Sequence, residues 1–236
     1  MTHTPVLLPE AMELLNPQRG EFFVDGTVGG GGHARAILER LGEKGTLLAI
    51  DWDKETAVAF AAESRRYEAK VIVEQANYAD LPRVLEKHGL GKADGLILDL
   101  GFSSWQVDES GRGFSFRKDE PLYMTYDEEQ ESVASVLSRL TEQELAQIIH
   151  ELGGERYAGR IAKAIKERVK KEAIISSLEL AEIVKAAVPA GYERGRIDPA
   201  TRTFQALRIY ANEELENLKE VLDELPEVMA AGGRAA

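Results

Sequence analysis

Short apolar runs alternate with longer segments of helical periodicity in the N-terminal part of the chain. The apolar runs are EFFVDG, GTLLAID, AKVIVEQ and ADGLILDLG, and helical patterns begin near Gly32, Lys54 and Ala79. Continuous apolar strands separated by helices are typical of a parallel sheet that is covered on both faces. The pattern therefore predicts an α/β fold with an open, doubly wound parallel sheet.

The pattern changes after Gly101. A long loop rich in Gly, Ser and charged residues comes first, and helical periodicity then runs over residues 128–188. Helix starts are predicted at Thr141, which forms a capping-box pattern with Glu144, and at Ser177. We therefore expect an all-α insertion after the sheet.

Three segments follow from this division. Residues 1–104 form the sheet core, residues 105–197 the loop and helical insertion, and residues 198–236 a helix that returns to the core. The final stretch, LPEVMAAGGRAA, predicts a short helix, a Gly-Gly turn and the first residues of another strand. A parallel sheet that stopped there would have four strands and an exposed edge, so we expect it to be incomplete at its C-terminal side.

Composition narrows the class of protein. The chain has 236 residues and no cysteine, which excludes disulfides, zinc–thiolate sites and thiol nucleophiles. The N-terminus lacks the basic and apolar regions of a signal peptide, and no apolar stretch is long enough to cross a membrane. We expect a cytoplasmic protein without a membrane partner.

Charge is unevenly distributed along the chain. The net charge is −12, yet residues 156–208 carry 12 Lys and Arg against 6 Asp and Glu. An acidic surface argues against non-specific binding of nucleic acid, whereas one basic segment allows a local contact with phosphates.

The stretch VDGTVGGGGHARAIL carries four consecutive glycines between a strand and a helix. Gly29, Gly31 and Ala34 match the spacing G-x-G-x-x-G/A of nucleotide-binding loops, which is a weak signal by itself. Glycines let the backbone approach a ligand, and the following helix offers unpaired N–H groups to an anion. A flexible surface turn is the alternative, but ordering each glycine would cost about 1 kcal/mol without a gain.

Two acids near the glycines indicate the kind of ligand. Asp25 ends the first strand, where a carboxylate would repel a pyrophosphate but hold an ammonium group. Asp51 ends the second strand, where an acid accepts hydrogen bonds from ribose hydroxyls. An amino acid joined to a ribose points to S-adenosylmethionine as the cofactor. Asp53 fits a solvated acid at a helix N-terminus.

The third and fourth strands end in further candidates. Tyr78 follows the third strand, where it could line an adenine or simply pack against its neighbours. Asp99 ends the fourth strand, at the edge where a methyl acceptor would meet the donor. An acid that caps the next turn is the alternative for Asp99, and otherwise it is the candidate catalytic residue.

Five motifs in order resemble a known family. They are HTPVLLPEAMELL, VDGTVGGGGHARAIL, LLAIDWDKETA, DLGFSSWQVDESGRGFSFRKDEPL and RIDPATRTFQALRIYANEEL, and the similarity runs from His3 to the last residue. The chain resembles the bacterial 16S ribosomal RNA (cytosine-N4) methyltransferase family. The resemblance implies a Rossmann-like core that uses S-adenosylmethionine, without a metal, to methylate the exocyclic amine of a cytosine near the decoding centre of the small ribosomal subunit.

The resemblance also implies a set of site residues. The family's donor-binding contacts fall on Gly31, Gly32, His33, Asp51, Tyr78, Asp99 and Gln106. Family members usually have Pro at Trp105, Phe at Tyr78 and Asp-Met-Arg-Met-Asp where this chain has YMTYD, and they continue through another strand after GGRAA. By resemblance, then, the chain is truncated at its C-terminal end and altered in one loop.

The basic segment supplies candidate contacts for the implied partner, 16S ribosomal RNA within the small subunit. The expected phosphate-binding side chains are Arg156, Arg160, Lys163, Arg194, Arg196 and Arg202. Aromatic side chains could hold an unstacked base or could instead anchor the loop, and the candidates are Phe102, Trp105, Phe114 and Phe116. A homodimer is compatible with the sequence.

Three alternatives remain open from the sequence. An NAD-dependent oxidoreductase would use the glycine spacing and Asp51, but Asp25 argues against it. A catalytically inactive relic that binds the donor or RNA would explain the shortened C-terminus and the altered YMTYD. A methyltransferase of DNA amines usually carries an Asp/Asn-Pro-Pro-aromatic motif, whereas DLGFSS lacks both prolines.

Overall fold

The computed structural model describes residues 5–101, 110–127, 129–192 and 197–236. The chain forms two compact units, one of residues 1–104 and 215–236 and the other of residues 105–214. The predicted site residues that lie outside the described residues are Gln106, Arg194 and Arg196, together with the aromatic candidates Phe102 and Trp105.

The first unit is built on a five-stranded parallel sheet. Its strands are β1 (Phe22–Asp25), β2 (Thr46–Asp51), β3 (Lys70–Gln75), β4 (Ala93–Ile97) and β5 (Met229–Ala235). They lie in the order β3-β2-β1-β4-β5, and every neighbouring pair is parallel. β2 and β3 lie on one side of β1, and β4 and β5 lie on the other. The strand order therefore reverses between β1 and β4.

Helices follow the strands and fill the second unit. In chain order they are α1 (Leu8–Leu15), α2 (Gly32–Leu41), α3 (Lys54–Ser64), α4 (Leu81–Lys87), α5 (Val133–Arg139), α6 (Glu142–Gly153), α7 (Ala158–Val169), α8 (Ser177–Ala187), α9 (Thr201–Ala211), α10 (Glu214–Asp223) and α11 (Leu225–Val228), with a 3-10 turn at Tyr78–Asp80. Among the residues that the structure describes, no helix is long and apolar enough to cross a membrane.

Both faces of the sheet are covered, as the sequence predicts. Successive residues of a strand point to opposite faces. Phe23 of β1 is buried with Ile37 of α2 on one face, and Val24 is buried with Leu81 of α4 and Val221 of α10 on the other. The predicted α/β fold with a doubly wound parallel sheet is confirmed.

The C-terminal stretch pairs as a fifth strand, so the expectation of four strands is wrong. β5 lies at the edge of the sheet, and the expectation of an incomplete sheet stays a prediction. β5 pairs with β4 through Ala93 opposite Met229 and Gly95 opposite Arg234, with a register shift between these pairs. Alanine and glycine have low β-propensity, which is why the sequence predicts a turn here. Backbone pairing and an ion pair of Arg234 with Glu21 at 2.6 Å hold the strand instead.

The predicted single helix that returns to the sheet from residue 198 is wrong in its first half. The chain turns at Glu213, where φ is 49°, and this turn separates α9 from α10. Phe204 and Leu207 of α9 are buried in the core of the helical unit with Leu145 of α6 and Ile161 of α7. The apolar periodicity of the segment reveals a buried face but does not reveal which core buries it, and the return to the sheet starts with α10.

The segment of residues 110–127 is folded onto the helical unit. Asn212 is fully buried, and its side chain donates to the carbonyl of Met124 at 2.8 Å and accepts from the N–H of Tyr126 at 2.9 Å. Met124 has a left-handed φ of 54°, and its N–H donates to the carbonyl of Arg112 at 2.8 Å. A non-glycine residue keeps such a strained backbone only where surrounding contacts fix it.

We expect Asn212→Ala to release this segment. The carbonyls of Met124 and Arg208 and the N–H of Tyr126 lose a partner, and a buried unpaired group costs about 1–3 kcal/mol. Hydrogen exchange at residues 122–127 should accelerate, and the thermal midpoint should fall. Ser138→Ala is the control, because it removes only an exposed hydrogen bond and should leave both readouts unchanged. Unchanged exchange in Asn212→Ala would contradict the anchoring role.

Candidate functional site

The glycine loop links β1 to α2 as a packed turn. Gly29 and Gly31 have φ values of 49° and 75°, a left-handed backbone that glycine adopts without strain. A Cβ at Gly31 would lie 2.9 Å from the ring of Phe60, and one at Gly26 would lie 2.5 Å from Leu98. The glycines are therefore required by backbone geometry and close packing, which disfavours the alternative of a flexible surface turn.

Asp25 ends β1 with a carboxylate that is only half satisfied. The residue is 1% exposed, and its Oδ1 accepts from the N–H of Thr27 at 3.1 Å. Its buried Oδ2 has no hydrogen-bond partner in the described part of the chain. Burial, with the nearby carboxylates of Asp51 and Asp99, raises the pKa of Asp25 to about 7. This position lacks a cation, and a ligand ammonium group would supply one.

Asp51 ends β2 and is oriented by two backbone donors. Its Oδ2 accepts from the N–H of Gly29 at 2.8 Å, and its Oδ1 accepts from the N–H of Asp53 at 2.9 Å. Burial raises the pKa of Asp51 to about 6. Each carboxylate oxygen has a further lone pair, so the group retains capacity for hydroxyl donors such as those of a ribose.

Asp53 is buried, and the expectation of a solvated acid is wrong. Its Oδ1 accepts from the N–H of Thr56 at 2.9 Å and thereby caps α3. The physical reason is local, since the N-terminal N–H groups of a helix need acceptors and the turn after β2 folds this side chain inward.

Asp99 follows β4 and keeps an accessible side chain, which is 40% exposed. Its N–H donates to Oγ1 of Thr27 at 2.6 Å. Its Oδ2 lies 3.6 Å from Nδ1 of His33 in the first turn of α2, and Nε2 of His33 lies 3.2 Å from the carbonyl oxygen of Val6. Asp99 is thus fixed through its backbone and faces a buried imidazole, while part of its carboxylate can meet a second molecule.

The remaining predicted donor residues lie at the same edge. Gly32 begins α2, where a Cβ would collide with Pro5. Tyr78 lies in the 3-10 turn after β3 and packs, half-buried, against the core that contains Val24. Packing is therefore observed for Tyr78, and the lining of an adenine stays a prediction. The predicted residues that the structure brings together at the carboxyl ends of β1 to β4 are Asp25, Gly31, Gly32, His33, Asp51, Tyr78 and Asp99.

Thr27 is a site residue that sequence reasoning missed. Its hydroxyl accepts the Asp99 N–H, and its own N–H donates to Asp25, so it links the ends of β1 and β4. The contact with Asp99 joins residues 72 positions apart. The signal in the sequence is weak, since Thr27 differs from its neighbours only as the one hydroxyl residue beside the glycines.

The predicted RNA contacts in the helical unit differ in their surroundings. Arg156, Arg160 and Lys163 are exposed on α7 or just before it. Arg202 on α9 is half-buried and donates to the hydroxyl of Tyr192 at 2.9 Å. Arg156 and Arg160 have no acidic partner among the described residues, whereas Lys163 lies 3.9 Å from Glu167 and Arg202 has an internal contact.

The aromatic candidates Phe114 and Phe116 anchor the loop. Phe114 is buried and stacks on Tyr126 with the ring centroids 5.4 Å apart. Phe116 packs edge to face on Phe204 with the centroids 5.1 Å apart. Phe114 is a buried member of the helical core and Phe116 is half-buried against that core, which favours the alternative that the two rings anchor the loop. The holding of an unstacked base stays a prediction.

The geometry of the first unit defines a class of protein. In an open parallel sheet, ligands bind beyond the carboxyl ends of the strands at the point where the strand order reverses. Here that point carries a packed glycine loop, an acid suited to ribose hydroxyls at Asp51, and a buried acid without a cation at Asp25. This donor set fits S-adenosylmethionine, and the unit is a Rossmann-like methyltransferase core.

Comparison with known proteins supplies the family. The model of the MraW methylase family matches residues 1–236, and the chain belongs to this family of S-adenosylmethionine-dependent methyltransferases. A relative from Syntrophobacter fumaroxidans named ribosomal RNA small subunit methyltransferase H is 45% identical over 235 residues, which cover 99% of this chain and 74% of the relative. A relative of the same name from Nitrosomonas europaea is 47% identical over 234 residues, which cover 98% and 73%.

A solved structure, TrmN from Thermus thermophilus, shares 22% identity over 41% of this chain and 28% of its own, with a TM-score of 0.33, a likeness too weak to inform the fold. Family membership, together with Asp25, disfavours the NAD-dependent oxidoreductase.

We expect donor binding to depend on pH through Asp25. The pKa of this acid is about 7 in the free protein, and a bound ammonium group favours its ionised form. Below pH 7 each binding event must therefore release a proton, so the affinity for S-adenosylmethionine should fall by up to about tenfold per pH unit, and it should level off above pH 7. Calorimetric titration between pH 6 and pH 8 measures the effect.

Asp25→Asn is the matched control for this pH dependence. The variant cannot ionise, so its binding should be weaker and its pH profile flatter, while any titration of the ligand itself affects both proteins equally. Equal slopes in the two proteins would exclude Asp25 as the group responsible.

Proposed function

We propose that the chain transfers a methyl group from S-adenosylmethionine to the exocyclic N4 amine of a cytosine in 16S ribosomal RNA, near the decoding centre of the assembled small subunit. Support comes from the MraW methylase family and from relatives named ribosomal RNA small subunit methyltransferase H. The observation that carries the proposal is an accessible carboxylate, Asp99, next to the buried and cation-free Asp25.

The donor would be held by backbone and by two acids. S-adenosylmethionine supplies, when bound, an electrophilic methyl group on a sulfonium sulfur. Asp25 would hold its ammonium group, and Asp51 would accept from its ribose hydroxyls. The glycine loop and the first turn of α2, with Gly31, Gly32 and His33, would bring N–H groups to its carboxylate. Tyr78, Asp99 and Gln106 complete the proposed set.

Asp99 would act on the acceptor. The lone pair of a cytosine N4 is delocalised into the ring, so the amine is a weak nucleophile. A carboxylate that accepts a hydrogen bond from N4–H would orient the amine and take up the proton that N4 loses. Thr27 fixes the backbone of Asp99, and His33 at 3.6 Å would steady its carboxylate as the proton arrives.

The two units would divide the work. Residues 1–104 would bind the donor, and residues 105–197 would recognise RNA through Arg156, Arg160, Lys163, Arg194 and Arg196, with the predicted contact Arg202 in the segment that follows. Recognition of an assembled particle suits an acidic protein, since its net charge of −12 would limit stray binding of RNA. A cytoplasmic location follows from such a substrate, and a homodimer stays a prediction.

Asp51→Ala should abolish donor binding. The variant removes the acid that Gly29 and Asp53 orient and leaves no acceptor for the ribose. Calorimetric titration with S-adenosylmethionine should give micromolar binding by the wild-type chain and none by the variant, with NAD inert in both. Absence of binding by a folded wild-type chain would overturn the proposal and favour the inactive relic.

Asp99→Asn should separate chemistry from binding. Loss of a proton acceptor typically lowers a rate by about 10²–10⁴-fold. Because asparagine keeps one side-chain oxygen for contact with the donor, the donor affinity should fall much less than the rate. The measurement is methyl transfer to small ribosomal subunits, with mass spectrometry of the nucleosides to locate the methyl group on cytosine N4. Asp80→Asn, an exposed acid of the same unit paired with Arg83, is the control. An unimpaired rate in Asp99→Asn would exclude the catalytic role.

A further inference from the structure

The helical unit contains a buried acid that is completely satisfied. Glu155, just before α7, is fully buried. Its two carboxylate oxygens accept from the hydroxyl of Tyr192 at 2.9 and 3.0 Å, and Oε1 also accepts from the N–H of Tyr157 at 2.7 Å. Arg202 lies 3.9 Å from Oε2 and donates to the Tyr192 hydroxyl at 2.9 Å. Glu155 therefore ties three separate segments of the helical unit together.

Two aromatic rings lie on this buried acid. Tyr157 and Tyr192 meet edge to face, with their centroids 4.9 Å apart and their planes at 87°. Because Glu155 holds the backbone of Tyr157 and the hydroxyl of Tyr192, both rings have fixed positions. Together they form a rigid aromatic platform.

Two exposed arginines lie over this platform. The guanidinium carbon of Arg156 lies 5.1 Å from the ring centre of Tyr157 and 4.8 Å from that of Tyr192, and that of Arg160 lies 5.8 Å from Tyr157. All three distances are in the range of cation–π attraction. Neither arginine has an acidic partner among the described residues, in contrast to Arg168 on the same helix, which pairs with Glu179 at 2.7 Å.

Contact of a guanidinium with an aromatic ring leaves its N–H donors able to bind a phosphate. A guanidinium carries five N–H donors in its plane, and those donors match the oxygens of a phosphate in pairs. Ordering a long side chain on binding costs free energy, and a ring beneath the guanidinium has already removed part of that cost. The side chains of Arg156 and Arg160 are thus held against aromatic rings, and no acid among the described residues pairs with their charges.

We propose that Arg156 and Arg160, held over Tyr157 and Tyr192, form a clamp for the phosphate groups of single-stranded RNA. The clamp rests on the proposed function, since that function makes RNA the substrate, and it selects these two cations from the wider basic segment. Arg202 is reassigned by the same geometry. The Arg202 guanidinium donates to the hydroxyl of Tyr192 inside the helical unit. Arg202 is therefore a positioning residue for the clamp and not itself a phosphate contact.

The salt dependence of RNA binding tests the clamp. The probe is a short fluorescein-labelled oligouridylate, and its affinity for the full chain is measured by anisotropy over a range of salt concentrations. Each phosphate contact on a single strand contributes about 0.7 to the slope of log affinity against log salt concentration. Arg156→Gln and Arg160→Gln should each reduce the slope by about 0.7, and the double variant by about 1.4.

Two further variants separate the clamp from general charge and from folding. Arg83→Gln removes an exposed arginine from the other unit, where Asp80 already pairs with it, and should leave the slope unchanged. Tyr157→Leu keeps both charges but removes a ring, so it should weaken binding while keeping most of the slope. The affinity for S-adenosylmethionine, measured by calorimetry, should be the same in the wild type and in every variant. Equal affinities would show that the first unit is intact in Arg156→Gln, Arg160→Gln, Arg83→Gln, Tyr157→Leu and the double variant.

The outcomes distinguish the clamp from the proposed function. An unchanged slope in the double variant, or no binding of oligouridylate by the wild-type chain, would overturn the clamp even if small subunits are methylated. Salt-dependent binding that the double variant loses would support the clamp, and if methylation of small subunits then failed, the proposed function alone would fall. A double variant that methylates subunits with an unchanged KM would also count against the clamp.

Discussion

The carboxylate of Asp25 is the constraint around which the first unit is organised. Parallel strands end at one edge, so a sheet with acids after β1, β2 and β4 gathers Asp25, Asp51 and Asp99 there. Asp51 is stabilised by two backbone donors, and Asp99 remains partly in solvent. The Oδ2 of Asp25 is buried and has no hydrogen-bond donor among the described residues. The raised pKa of Asp25 reflects the free-energy cost of ionising this buried group. A bound cation would remove that cost, so under the proposed function donor binding would stabilise this edge.

Buried acids have opposite meanings in the two units. Glu155 is as inaccessible as Asp25, but a tyrosine hydroxyl and a backbone N–H satisfy its oxygens. A satisfied buried acid fixes neighbouring side chains, and here it orders Tyr157 and Tyr192. An unsatisfied buried acid is incomplete without a ligand. The hydrogen bonds at each oxygen, more than burial itself, therefore distinguish Glu155, which has a structural role, from Asp25, for which we propose a binding role.

Several sequence inferences failed for reasons that the packing makes clear. The sequence leaves Phe114 and Phe116 open as base-holding or loop-anchoring rings, and only the structure shows that both pack on the helical core. Asp53 looks like a solvated copy of Asp51, yet it is buried as the cap of α3. The Ala- and Gly-rich end of the chain looks like a turn, yet it pairs as β5. Partners from distant segments decide where the aromatic rings and β5 lie, whereas Asp53 is placed by the N–H of Thr56, three residues along the chain.

The sequence by itself determined the alternation of strands and helices, the capping box at Thr141 and the acids at the strand ends, because these depend on neighbours a few residues away. Only the tertiary structure decided that the Thr27 hydroxyl accepts a hydrogen bond from the N–H of Asp99, that α9 joins the helical core, and that Glu155 supports the aromatic platform. Those contacts join segments far apart in the chain. Their formation depends on which segments pack together when the two hydrophobic cores form. Periodicity and spacing along the sequence do not specify these pairings.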